Sequence, residues 1–208
     1  MLLYYITDRA QLSGNEDERR ERLLEKIAEA ARAGVDLVQL REKDLGARDL
    51  ELMAREAVTR VRDFSRKTRL LVNSRTDVAL AAGADGVHLR SKDISAAEVR
   101  TIWRTANGPG EPLISVSCHR PAEVLACEEG RADFVVFAPV FGKEGPPQTP
   151  AGVDMLRTAC GHRVPVLALG GVTVENAQLC TEAGAAGVAG IRLFQNGDIT
   201  EIVAKLRG

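Results

Sequence analysis

Aromatic residues are scarce in this chain: one Trp, two Tyr and five Phe among 208 residues. A core with so few rings must be built from aliphatic side chains. Charge of one sign is also missing. Lys and Arg total 28 and Asp and Glu 29, for a net charge of −1, a balance that argues against nucleic-acid or anionic-membrane partners. Long hydrophobic runs are absent too. The longest, Phe134 to Phe141, includes Pro139 and falls far short of the roughly 20 residues a membrane helix needs. The start turns polar directly after Ile6, so no signal peptide is expected. The four cysteines (Cys118, Cys127, Cys160, Cys180) show neither Cys-x-x-Cys spacing nor a histidine cluster. They read as reduced, mostly buried thiols of a cytoplasmic protein.

What is present is a strict alternation of two patterns. Short runs rich in Val, Leu and Ile lie at Leu2–Ile6, Val35–Leu40, Leu70–Asn73, Gly86–Leu89, Leu113–Ser117, Phe134–Phe137, Val166–Leu169 and Gly187–Ile191. Few alternate with polar residues, which is how a strand covered on both faces reads. Between them lie amphipathic stretches. Glu16–Ala33 is ended by Gly34, and Ala47–Phe64 carries apolar residues at helical spacing. Shorter helices fit Asp77–Ala82, Ser95–Arg104, Pro121–Glu129, Val153–Cys160, Val174–Ala183 and Ile199–Leu206. Ser95 with Glu98 forms a capping box, and Thr173 sits where an N-cap belongs.

Eight strand–helix units in just over 200 residues imply an α/β protein whose single domain, residues 1–208, is a (β/α)8 TIM barrel. An open doubly wound sheet is the alternative. It would usually have fewer strands and a Gly-rich loop after the first, where this chain has Tyr5-Ile-Thr-Asp8. The segments Ala33-Gly-Val-Asp36, Ala82-Gly-Ala-Asp85 and Ala183-Gly-Ala-Ala186 each end a helix and open a strand. They are read as structural, at the end of the barrel away from the chemistry.

Reactive groups in such barrels gather at the C-terminal ends of strands. Strand 2 ends in Gln39-Leu-Arg-Glu-Lys43, whose alternate residues Gln39, Arg41 and Lys43 would project one way and suit a phosphate or diphosphate. A solvated charged turn is the competing reading. Strand 3 ends in Asn73-Ser-Arg-Thr-Asp77, strand 4 in His88-Leu-Arg-Ser-Lys-Asp93 and strand 5 in Ser115-Val-Ser-Cys-His119. A lone histidine is more often structural than catalytic. His119, past a strand tip, is the better candidate, and His88 falls within strand 4. Gly170 and Gly171 after strand 7, and Gly190, Ile191 and Arg192 after strand 8, lie where these barrels commonly hold a phosphate. The Gly- and Pro-rich stretch 138–150, with Lys143, reads as a lid or as a mere connection.

Taken together these motifs resemble the thiamin phosphate synthase/TenI family over essentially the whole chain. The matching blocks are Tyr5-Ile-Thr-Asp8, Gln39-Leu-Arg-Glu-Lys43, Asn73-x-Arg-x-Asp-Val-Ala79, Ala84-Asp-Gly-Val-His-Leu89, Ser117-x-His119, Ala132-Asp-Phe134, Pro139-Val-Phe141, Gly170-Gly171 and Gly184-Ala-x-Gly-Val-Ala189. The resemblance implies an enzyme of thiamin biosynthesis with Mg²⁺ as cofactor. It would join 4-amino-2-methyl-5-hydroxymethylpyrimidine diphosphate to 4-methyl-5-hydroxyethylthiazole phosphate and release pyrophosphate. Gln39, Arg41, Lys43 and Asn73 would then hold the diphosphate. Asp93 would be a Mg²⁺ ligand, Ser117 a contact near the reacting groups, and Gly171 and Ile191 neighbours of the thiazole phosphate. The expected partners are these small-molecule phosphates, and self-association into a homo-oligomer is left open.

The chain departs from the synthase pattern in places. Ser74 stands where synthases carry a second acidic Mg²⁺ ligand, and a hydroxyl ligates without charge. Lys143 to Pro146 replace a Thr-x-Thr-Lys loop, Arg192 replaces a serine near the thiazole phosphate, and Arg90 and Lys92 add cations. The related branch, thiazole tautomerase, uses a histidine matching His119 as acid–base and needs no Mg²⁺. The retained Gln39, Arg41, Lys43 and Asp93 favour the synthase. A non-catalytic thiazole or thiamin phosphate binder and an unrelated phosphate-sugar isomerase are the readings from other classes.

Overall fold

Each Val-, Leu- and Ile-rich run becomes a strand in the computed structural model, which describes residues 1–142 and 150–208. The strands are β1 (Leu2–Ile6), β2 (Leu37–Leu40), β3 (Arg69–Asn73), β4 (Gly86–Leu89), β5 (Leu113–Cys118), β6 (Phe134–Phe137), β7 (Val166–Ala168) and β8 (Gly187–Gly190). They close into a barrel in sequence order, and β8 pairs back onto β1. All eight pairings are parallel. The helices are α1 (Glu16–Ala33), α2 (Ala47–Phe64), α3 (Thr76–Ala82), α4 (Ala96–Thr105), α5 (Pro121–Glu129), α6 (Gly152–Ala159), α7 (Ala177–Glu182), α8 (Arg192–Gln195) and α9 (Ile199–Arg207). The (β/α)8 barrel expected from the alternation is the observed fold. Among the described residues no helix is long and apolar enough to cross a membrane.

Two local expectations are corrected and one element is added. The strand expected from Val35 begins at Leu37, because Val35 and Asp36 still belong to the turn after Gly34. The helix expected from Val174 begins at Ala177. Thr173 and Asn176 do exchange hydrogen bonds (2.8 and 3.4 Å), but they close a turn, and Asn176 Nδ2 also donates to the Gly171 carbonyl. The single-turn helix α8 after β8 was not foreseen, since four residues are too few to show a helical period. The Ser95–Glu98 capping box forms as expected, and a second one, Asn15 with Glu18, opens α1.

Side chains of each strand sort by parity. Leu3, Tyr5, Val38, Leu40, Leu70, Val72, Val87 and Ile114 pack outward with the helices in one cluster. Tyr4, Ile6, Leu37, Leu71, Phe134, Val136, Leu167 and Ala189 fill the barrel interior in another. The four cysteines are free thiols, with Cys118 Sγ 3.5 Å from Cys127 Sγ on the outer side of β5.

The repeated Ala-Gly turns close the bottom of the barrel. The glycines take left-handed φ of 85°, 67° and 98° at Gly34, Gly83 and Gly184, where a Cβ would be strained. In the first two turns the following aspartate ties the turn to the preceding strand; the third has Ala186 in that place. Asp36 accepts from the Leu3 amide at 2.8 Å and Asp85 from the Leu70 amide at 2.8 Å. Asp133, in the equivalent place before β6, accepts from the Ile114 amide at 2.7 Å and from Arg100 at 2.8 Å. Replacing Asp133 by Ala strands the amide of the fully buried Ile114. The expected cost is about 1–3 kcal/mol, read as a lower urea midpoint with an unchanged slope.

Candidate active site

An open cavity of about 1050 Å³ occupies the mouth of the barrel at the C-terminal ends of the strands. The inward parity of β2 carries past its last residue, so Gln39, Arg41 and Lys43 all line this cavity. Glu42, between them, turns the other way. It is buried and accepts from Thr7 Oγ1 at 2.5 Å, from the Arg9 amide at 3.0 Å and from Arg9 Nη1 at 3.1 Å. Arg9, itself buried, also pairs with Asp44 at 2.7 Å and Glu16 at 2.6 Å. Thr7 Oγ1 in turn accepts from the Arg41 amide at 3.0 Å. The backbone that presents Arg41 and Lys43 is therefore anchored from behind by a buried ion pair. Thr7, Arg9 and Glu42 were not singled out from sequence. Their signal was the parity of Glu42 against its neighbours.

Asn73 also lines the cavity, and its Nδ2 donates to Ser74 Oγ at 3.3 Å. Ser74 adopts a left-handed φ of 55°, which aims its hydroxyl at Asp93 Oδ2, 2.7 Å away. Asp93 also accepts from the Arg90 amide at 2.9 Å and the Arg90 guanidinium at 2.9 Å. Partial burial works to raise the Asp93 pKa, but the bonds from Arg90 and Ser74 outweigh it and hold the carboxyl below its ordinary range. Asp93 and Ser74 thus meet each other, but neither lines the main cavity. Asp93 lines a smaller one of about 200 Å³ beside it, while Arg90 borders both.

Across the barrel, Gly170, Gly171, Gly190, Ile191 and Arg192 form the facing wall of the main cavity. The two glycines after β7 take left-handed φ of 97° and 66°. A Cβ on Gly170 would lie 2.7 Å from Pro139 Cα, and one on Gly171 2.6 Å from the Gly142 carbonyl. Packing against the segment after β6 accounts for both glycines without invoking a ligand. Lys143 lies outside the described residues, as does most of the stretch read as a lid. Among the described residues, neither Arg41 nor Arg192 is paired with a carboxylate.

His119 lies at the rim. Its Nδ1 is 2.7 Å from the Ala138 carbonyl, which can only accept. Nδ1 therefore carries the hydrogen, and Nε2 is the lone-pair nitrogen of the neutral ring. Beneath it, inside the barrel, lies a polar chain that sequence reasoning did not assemble. Gln39 Nε2 donates to Tyr4 Oη at 2.9 Å, and Tyr4 Oη is 3.4 Å from Ser115 Oγ. His88 Nδ1 lies 2.7 Å from Ser115 Oγ, and His88 Nε2 lies 2.8 Å from Ser117 Oγ. Tyr4, Gln39, His88 and Ser115 are all buried. Burial pushes the Tyr4 hydroxyl well above its ordinary pKa.

His88 is pushed the other way. Burial, reinforced by the Arg41 charge and opposed by Asp93, takes it from 6.5 down to about 3. The unfolded chain binds this proton near the ordinary value, so below it the unfolded state holds more protons than the native one. Stability present above pH 6.5 is then lost as the pH falls toward 3. The expected loss from about pH 7 to about pH 5 is ~2 kcal/mol, at ~1.4 kcal/mol per pH unit. His88→Gln should remove that dependence, which urea midpoints at the two pH values would show. Equal pH dependence of both proteins would count against a neutral buried imidazole.

The geometry agrees with comparisons to known proteins. Residues 3–194 match the family described as thiamine monophosphate synthase. The chain is 43% identical over 191 residues to a relative from Geobacter sulfurreducens, covering 90% of this chain and 83% of that one. It is 34% identical over 211 residues to the thiamine-phosphate synthase of Syntrophomonas wolfei, covering 99% and 94%. Among solved structures it resembles a thiamine phosphate pyrophosphorylase from Pyrococcus furiosus with a TM-score of 0.82 and 26% identity, over 99% of this chain and 93% of that one. A 3-hexulose-6-phosphate synthase, at 20% identity and a TM-score of 0.70, shares the barrel. With the barrel, the cavity and the family match in agreement over nearly its full length, the chain belongs to the thiamine monophosphate synthase/TenI family.

Proposed function

We propose that this protein is a thiamin phosphate synthase, joining the pyrimidine methyl diphosphate to the thiazole phosphate and releasing pyrophosphate. The observation that carries this reading is the pairing of two cation-bearing walls across one cavity. Arg41, Lys43 and Asn73 stand on the β2–β3 side, and Arg192 with the Gly170–Gly171 and Gly190–Ile191 backbone on the β7–β8 side. Two separate anions are what this coupling must hold at once. An isomerisation of the thiazole substrate alone needs only one phosphate site.

In this reading the bond between the pyrimidine methylene carbon and the diphosphate oxygen breaks, and its electron pair leaves with pyrophosphate. The ring's own electrons steady the resulting cation, which the thiazole nitrogen attacks to form the new C–N bond. Arg41 and Lys43 stabilise the charge that grows on the diphosphate, more in the transition state than in the ground state. Because the Arg41 amide is anchored to Thr7 and Glu42 holds Arg9, little reorganisation is needed when that charge develops. Ile6, Leu169 and Ile191 line the cavity and keep water from trapping the cation. No protein nucleophile is required.

The Mg²⁺ expected for this family has a matching but lean donor set. Asp93 and Ser74 offer hard oxygen atoms in mutual contact beside the diphosphate wall, and Mg²⁺ is commonly held by one or two carboxylates with substrate phosphates and water. Asp93 with Ser74 would hold it once Arg90 releases the carboxylate. When bound, it would neutralise charge on the diphosphate.

A second reading rests on His119. Its Nε2 lone pair, set by the Nδ1 bond to the Ala138 carbonyl, suits the general acid–base of a thiazole tautomerase.

Incubating the protein with both substrates and Mg²⁺, while following thiamin phosphate and pyrophosphate together, tests the synthase reading. Stoichiometric formation of both is expected. Tight binding of the thiazole phosphate without coupling would move the assignment to the tautomerase, whose turnover His119→Gln should abolish. Arg41→Ala should weaken pyrophosphate inhibition at least about tenfold. An unchanged inhibition constant would remove Arg41 from the site.

A further inference from the structure

The buried polar chain inside the barrel has a direction, and Gln39 sets it. An amide nitrogen only donates, so Tyr4 Oη, 2.9 Å away, accepts that hydrogen bond. The Tyr4 hydroxyl hydrogen then needs an acceptor of its own. Tyr4 is fully buried, and among the described residues its other polar neighbour is Ser115 Oγ at 3.4 Å. Ser115 Oγ, accepting from Tyr4, has one hydrogen to give, and His88 Nδ1 is 2.7 Å away. A neutral imidazole carries a single ring hydrogen. With Nδ1 accepting, that hydrogen sits on Nε2 and goes to Ser117 Oγ at 2.8 Å.

The opposite polarity fails at the Tyr4 end. If Ser117 donated to Nε2, then Nδ1 would donate to Ser115 and Ser115 to Tyr4. Tyr4 Oη would then accept twice, and its own hydrogen would be buried without a partner. Buried hydroxyl hydrogens in that state are costly, and among the described residues the only buried side-chain nitrogen or oxygen lacking a partner is Arg19 Nε.

We infer that His88 is a positioning residue that accepts from Ser115 and donates to Ser117, leaving the Ser117 hydroxyl hydrogen for a hydrogen-bond acceptor on the substrate. This rests on the synthase reading and deepens it. Ser117 is half-buried on the cavity wall, between the phosphate-binding sides. It meets the substrate as a donor, so the site selects for a lone pair there: a pyrimidine ring nitrogen or a phosphate oxygen. Two charged groups act on the imidazole. Arg41 disfavours its protonation and Asp93 favours it, and burial decides for the neutral ring.

The tautomer is readable in the free protein, without substrates or turnover. Long-range proton–nitrogen correlation spectra of protein labelled with ¹⁵N-histidine would be recorded from about pH 8 to about pH 5. The His88 signals are identified by their loss in His88→Gln. The expected result is the Nε2–H tautomer, unchanged throughout. An Nδ1–H tautomer, or a titration midpoint near the ordinary histidine value, overturns the inference. In Ser115→Ala the acceptor bond to Nδ1 loses its donor. Mixed tautomers are expected there, with turnover down about tenfold at little-changed KM. A wild-type tautomer pattern in that variant also counts against it. Ser117→Ala should weaken binding about fivefold or more. A loss with inorganic pyrophosphate places the acceptor on a phosphate, a loss only with the pyrimidine diphosphate places it on the ring, and no loss with either overturns the donor role. Failure of the wild type to make thiamin phosphate would refute the synthase reading and leave the tautomer measurement standing.

Discussion

Successive side chains of a strand point to opposite faces, and closing eight strands into a barrel seals one of those faces from bulk water. Every inward polar group must then find its partner among other inward groups. Tyr4, Gln39, His88 and Ser115 do so with one another, in a tier between the apolar floor and the open mouth. Gln39 and His88 border the cavity from this tier, and the chain ends at its top on the half-buried Ser117. The same constraint explains why a reactive surface begins where the apolar layer ends. Leu71, Val136 and Leu167, all buried, fill the interior below.

The outward face carries the support. Glu42 lies between two residues that line the cavity, yet its carboxylate is sunk behind the barrel against Arg9 and Thr7. A buried ion pair is weak evidence of added stability, because desolvation offsets much of the attraction. Its value here is geometric. Removing either partner would leave an uncompensated buried charge, so the turn after β2 is held in one arrangement. That arrangement fixes the Arg41 amide through Thr7. Arg9 reaches Glu16 and Asp44 as well, so the first helix and both turns are tied to one guanidinium.

Charge within the mouth is unevenly matched. On the β3–β4 side Arg90 is neutralised by Asp93, and Ser74 completes that contact. Among the described residues Arg41 and Arg192 have no carboxylate partner. In a chain whose charges nearly cancel overall, unpaired cations on two walls of one cavity create a local field for anions that the net charge does not reveal.

The sequence by itself determined the barrel and the strand ends where chemistry gathers. Both follow from local signals: eight aliphatic runs, helical periods between them, and glycine turns that read the same in any context. It also placed Gln39, Arg41, Lys43, Asn73, Ser117 and His119 at one mouth, because parity along a strand needs no knowledge of its neighbours. It did not reveal the turn before α7 or the single turn of α8, whose periods are too short to register. Nor did it show that Asp93 would be engaged by Arg90, since that contact depends on the path of a loop. Tertiary structure alone decided the pairing of Tyr4 with Ser115, 111 residues apart, and of Glu42 with Thr7 and Arg9. Sequence can say that a polar residue points inward. Which partner it meets there is set by the register of strands far apart in the chain, and that register exists only once the barrel has closed.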